Sequence, residues 1–163
     1  MRQQHADVPA QEPGRAATPL VYLDTTLVPS DGRKIEVAAG GDLQAALDSA
    51  RPGDVISLEA GAVFTGNFIL PNKRGEGWIT IRSSTDDANL PPEEHRITPE
   101  HSAVMPRLET PNTQPVISTE AGAHHYRLIA VEFSLAPDVK INYGLVSLGS
   151  GDHTSPDQLP HDI

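Results

Sequence analysis

The sequence predicts an all-β solenoid of short parallel strands, closed at its front by one helix. Three observations predict it. Residues 40–50, GGDLQAALDSA, form a helix that is apolar on one face and stops at Pro-Gly-Asp. Short apolar runs then recur between Gly, Pro, Asn and Asp turns, with no second convincing helix. Finally, Ile56, Ile79 and Leu128 recur at one and two steps of about 24 residues, an interval typical of stacked repeats.

The first strand expected is residues 20–24, LVYLD, and the second is residues 34–39, KIEVAA, after the turn SDGRK. Asp42 is suited to cap the helix, because its carboxylate can accept from the free amides of the first turn. Leu43, Ala46, Leu47 and Ala50 follow at helical spacing and make one apolar stripe that needs a surface to cover. Pro52 cannot continue the helix, Gly53 suits the left-handed turn beyond it, and Asp54 turns the chain. The next strands expected are residues 55–58, 67–70, 78–82, 116–118, 126–133 and 145–148. Residues 83–115, rich in turn formers and charge, read as a loop insertion on a repeating body.

On pattern alone a β-sandwich also fits such turn-bounded runs. Two features favour a solenoid. Several runs are short and β-branched rather than alternating apolar and polar, which suits parallel strands stacked coil on coil. An amphipathic helix before the first covered strand is a ready cap for the open end of a core and its strand edges.

Composition sets limits. The chain has 163 residues and no cysteine, so neither a disulfide framework nor a thiolate metal site is available. Twelve basic residues stand against 22 acidic ones, a formal net charge of −10, which disfavours nucleic acid as a partner. Aromatics are 4% of the chain with Trp78 the one tryptophan, so Val, Ile, Leu and Ala must build the core. No run is long and apolar enough for a membrane span, and the polar start has no signal-peptide core. Residues 1–19 read as a disordered leader. Residues 20–163 read as the cap and first coils of a domain truncated at its C-terminus, because the closing SPDQLPHDI carries no stop signal.

The stretch GGDLQAALDSARPGDVISLEAGAVFTGNFILP, followed by WITIRSS and later by GAHHYRLIAVEF, resembles the start of right-handed parallel β-helix proteins of the pectate lyase-like superfamily. The resemblance covers roughly residues 34–148. It implies a right-handed parallel β-helix and a protein acting on or binding polysaccharide. That protein would be extracellular or periplasmic, and either a polysaccharide lyase or glycoside hydrolase or a non-catalytic adhesin or carbohydrate-binding module. The superfamily's catalytic and calcium-binding residues lie on later coils. No catalytic, cofactor or metal residue is therefore assigned within this segment, and calcium is a cofactor candidate only for the full-length protein.

Several residue groups are candidates for chemistry. His124 and His125 are adjacent, and on a strand their side chains would point to opposite faces and could not share one ion. Asp152, His153, Asp157, His161 and Asp162 mix carboxylates and imidazoles, but at no recognised ligand spacing; a solvated turn is the expectation. Asp86, Asp87, Glu93 and Glu94 lack the alternation and central glycine of a calcium loop. Arg82 and Arg127 lie on expected strands and could face a groove, or pair with a neighbour such as Glu132.

Overall fold

The computed structural model describes residues 29–92 and 95–163. The strand expected at residues 20–24, and Glu93 and Glu94, lie outside the described residues. In chain order the elements are β1 (Lys34–Val37), α1 (Leu43–Ser49), β2 (Val55–Leu58), β3 (Val63–Thr65), β4 (Phe68–Leu70) and β5 (Ile79–Ser83). Then come β6 (Arg107–Thr110), β7 (Ile117–Thr119), β8 (Tyr126–Ile129), β9 (Glu132–Leu135) and β10 (Val146–Ser147). Short 3-10 turns occupy Asp87–Asn89, Pro99–Val104 and Pro156–Gln158.

The strands form three sheets, and every pairing is parallel. Sheet one runs β1-β2-β5-β8, sheet two β3-β6-β9 and sheet three β4-β7-β10. From β2 onward the chain visits sheets one, two and three in that order and makes the circuit three times, with β1 preceding it in sheet one. Parallel neighbours cannot be joined by a tight turn, and here each connection is the rest of a coil. This mostly parallel winding is compatible with a β-helix.

The core lies between the sheets. Ile56, Ile81 and Leu128 are paired in sheet one, Phe64, Leu108 and Phe133 in sheet two, and Phe68 with Ile117 in sheet three. Ile56, Ile81, Leu108 and Ile117 are buried, with Phe64 and Phe68 beside them. Alternation along each strand sends every second side chain inward, so pairing like with like in adjacent coils makes continuous apolar columns.

The repeat differs from its sequence reading in register. Ile56 pairs with Ile81, while Ile79 pairs with Tyr126 and only Ile81 meets Leu128. A shift of two residues keeps the inward face, so the periodic pattern could not distinguish the two. β3 and β6 were not expected. β3 is three residues with only Phe64 buried, and β6 lies inside the supposed loop, whose real extent is residues 84–106. The run at residues 126–133 is two strands, because Ala130 takes φ 53° and turns the chain from sheet one to sheet two.

At one end the cap is built as its residues suggest. The Asp42 carboxylate accepts from the Ala45 amide at 2.9 Å, and Leu43, Ala46 and Leu47 face the core. The helix packs against β4 and β1. Gln44 adds a function that the apolar stripe does not reveal. Its side-chain amide donates to the Ile69 carbonyl at 3.1 Å, and its carbonyl accepts from the Ile69 amide at 2.9 Å. β4 is the edge strand of sheet three, so one side chain supplies the bonds a neighbouring strand would make. α1 ends at Ser49, with Ala50 as C-cap, and Gly53 takes φ 96° before Asp54.

At the corner between sheets two and three, amides tie successive coils together. Asn112 donates to the Asn67 side-chain carbonyl at 2.8 Å, Asn67 donates to Thr110 at 2.9 Å, and Asn142 donates to the Gln114 carbonyl at 2.9 Å. Tyr126 does similar work inside. Its ring is fully buried and its hydroxyl donates to the Pro71 carbonyl at 2.6 Å. Burial, with the charges of Glu120 and Asp48 behind it, raises the phenol well above its ordinary value, so the group is a neutral donor at all working pH values. Tyr126→Phe is expected to cost about 1–2 kcal/mol by leaving the Pro71 carbonyl unpaired. A urea midpoint unchanged from wild type would show that another donor takes its place.

Candidate functional site

The outer face of sheet one carries a groove. Parallel register sets outward side chains in rows along the stack. One row is Lys34, Val55, Thr80 and Arg127; the next is Glu36, Ser57, Arg82 and Ile129. A cavity of about 500 Å³ lies over these rows, with Ser57, Thr80 and Arg82 in its lining. The 84–106 insertion leaves the end of β5 and contributes Thr85, Asp86 and Asp87 to one wall, and Pro29 and Ser30 contribute to the lining too. Ser57 and Thr80 are 4% and 5% exposed although they point away from the core. The Thr80 hydroxyl lies 3.5 Å from that of Ser30.

Arg82 supplies the guanidinium of this groove, whose lining also holds Lys34. It pairs closely with Asp87, and its Nε donates to the Ser83 carbonyl at 3.2 Å. The expected partner Glu132 is instead paired with Arg107 at 3.1 Å, because both stand on sheet two in directly opposed positions. Arg127 follows the other reading only in part. It is on the outer row, but its guanidinium lies over the Trp78 ring, 4.1 Å from the centroid. The site therefore presents an ammonium from Lys34, a guanidinium held by a carboxylate and the hydroxyls of Ser84 and Thr85, with Ser57 and Thr80 nearly covered beneath. That set can bind hydroxyl- or carboxylate-bearing ligands by hydrogen bonding.

No family model, curated protein or solved structure matches this chain. The case for any activity therefore rests on the groove and on the winding that builds it.

The remaining candidates separate. His124 and His125 depart from the strand expectation. β8 begins only at Tyr126, and His125 takes φ 58°, which swings its ring toward that of His124. The two Nδ1 atoms lie 2.6 Å apart. Of the five residues in the closing segment, His161 joins this pair, its ring stacked on His124 at 5.1 Å. Asp152 meets the Ser150 hydroxyl at 3.3 Å, while the His153 ring lies against Gly149 with Nδ1 buried and unpartnered. Among the described residues, no group of three or more His, Cys, Asp or Glu is placed to hold a metal ion. Asp86 and Asp87 wall the groove, as no sequence pattern indicated. No helix among the described residues is long and apolar enough to cross a membrane.

Proposed function

We propose that this chain is the cap and first coils of a right-handed parallel β-helix protein of the pectate lyase-like kind. In this reading the protein is exported to an extracellular or periplasmic setting, and it handles polysaccharide along the outer face of sheet one. The observation that supports this reading best is the groove itself. It crosses successive coils, so a linear polymer lying along the stack would pass Lys34 on β1, Ser57 on β2, and Thr80 and Arg82 on β5. Hydroxyls and a guanidinium are the groups that bind sugar hydroxyls and uronate carboxylates. In this reading α1 shields the core, the first coils template those that follow, and calcium joins the site only in the full-length protein.

A second reading, binding without catalysis, is favoured by the state of Arg82. Its guanidinium is already engaged by Asp87 and the Ser83 carbonyl, which suits a fixed contact better than a group awaiting a reacting carboxylate.

Both readings predict binding of polygalacturonate or of a neutral polysaccharide, measured by calorimetry with and without calcium. Arg82→Ala is expected to weaken it about tenfold, the loss of one charge-assisted hydrogen bond. Absorbance from unsaturated products would select the lyase over the adhesin. Absence of binding for every polymer tried at millimolar sugar, in a chain shown to be folded, would sink both.

A further inference from the structure

The closing residues are held against the third coil in an unusual way. His161 forms a parallel bridge with His124, and its amide donates to the Ala123 carbonyl at 3.2 Å. The amide of Tyr126 donates to the Asp162 carbonyl at 3.1 Å, and that of Gly122 to Gln158 at 2.8 Å. The segment thus lies on the 120–125 corner like one more rung. Apolar burial contributes little to holding it, since Leu159 is 52% exposed and Ile163 38%. What it has instead is rings. His161 stacks on His124 with an interplanar angle of 19°, and His125 lies 6.3 Å from His161 between centroids.

We propose that His124, His125 and His161 form an acid-released latch that fastens residues 155–163 to the corner before β8. The 2.6 Å contact between Nδ1 of His124 and Nδ1 of His125 needs one N–H and one lone pair. It survives one proton added to the pair and is broken by the second, which leaves two donors facing each other. With His124 and His161 both protonated, two like charges face each other across the 5.1 Å stack. Arg127 already places a cation over Trp78, whose ring meets His125 edge-on at 5.1 Å.

The carboxylates nearest in the chain are Glu120 on the same corner, Glu76 in the loop before β5, and Asp157 and Asp162 on the latch segment; His153 lies just before that segment. None of the pairs Arg33–Asp54, Lys34–Glu36, Arg82–Asp87 and Arg107–Glu132 includes one of these rings. Release takes up protons, so it is favoured as pH falls through the imidazole range. The segment then frees the corner amides while the sheets stay paired, as a weakly anchored element can.

Amide hydrogen exchange on the whole chain tests this, after correction for the intrinsic pH dependence of exchange. Between about pH 7.5 and about pH 5, the amides of Gly122, Tyr126 and His161 should lose protection about tenfold per pH unit for each proton taken up. The amides of Val55 and Thr80, bonded inside sheet one, should not change. His161→Phe keeps a stackable ring without its charge and should flatten the response, as should the double variant with His124→Phe. The latch is overturned if the three amides show no pH response, if the Phe variants keep the wild-type slope, or if the sheet-one amides fall in step.

Discussion

Leu47→Asp is expected to abolish cooperative folding of the described body. Leu47 is fully buried, between Leu43 and Ala46 on the covered face of α1. Removing a buried leucine side chain alone costs about 2–5 kcal/mol. A carboxylate in its place must either be desolvated without a partner or take up a proton, which adds several kcal/mol. The sum approaches the roughly 5–15 kcal/mol that holds a whole domain together. Ala45→Asp on the exposed face of the same helix is the control, expected within about 1 kcal/mol of wild type. Circular dichroism melting distinguishes them. Equal melting for Leu47→Asp and wild type would mean that α1 covers nothing the core needs.

Asp54→Asn is expected to cost about 2–4 kcal/mol, although it changes one atom. The Asp54 carboxylate is buried and accepts from the Arg33 amide at 2.8 Å and the Arg51 amide at 2.9 Å. It also takes the Arg33 guanidinium at 2.6 Å. One oxygen takes the Arg33 amide and the other takes the Arg51 amide and the guanidinium, so either orientation of an asparagine points its NH₂ at a donor. The guanidinium is more than half exposed, so water screens its share. Burial alone would push the Asp54 carboxyl up. The Arg33 side chain, the amides of Arg51 and Arg33, and the Arg33 charge outweigh it and hold the group below the usual carboxylate range. The sign follows: this contribution is present above the ordinary aspartate value near 4 and is lost as pH falls below it. Urea midpoints taken at about pH 7 and about pH 3 should therefore differ less for Asp54→Asn than for wild type. An equal difference would remove Asp54 from the acid response.

These two positions show how much was legible beforehand. The helix stripe, the Asp42 cap and the Pro-Gly-Asp turn were readable because each depends on neighbours within a few residues. Gly53 and Gly61, with φ 96° and 73°, sit where a turn was expected for the same reason. Asp54 was read only as a turn former. Its bonds to Arg33 cross to the preceding coil, a contact that no local pattern encodes. β3 and β6 were missed because each presents too few inward residues to stand out among charges and turns, and they become strands only by pairing with each other and with β9. The histidine pair departs from strand geometry because both residues precede β8, on the corner. His125 takes a left-handed turn there, which histidine adopts more readily than most residues other than glycine.

By itself, then, the sequence determined the chain's class: mostly short strands in repeating coils, and a front closed by a one-sided helix. Those follow from periodicity and from what Pro, Gly and Asp do to the backbone nearby. Only the tertiary structure decided the register, the use of Gln44 as a surrogate strand and the groove between Ser57, Thr80 and Arg82. It also decided the meeting of His124 and His125 with His161. Each of these joins residues from different coils, or depends on the corner between them. Parallel stacking brings such residues within bonding distance only once the intervening coil has closed.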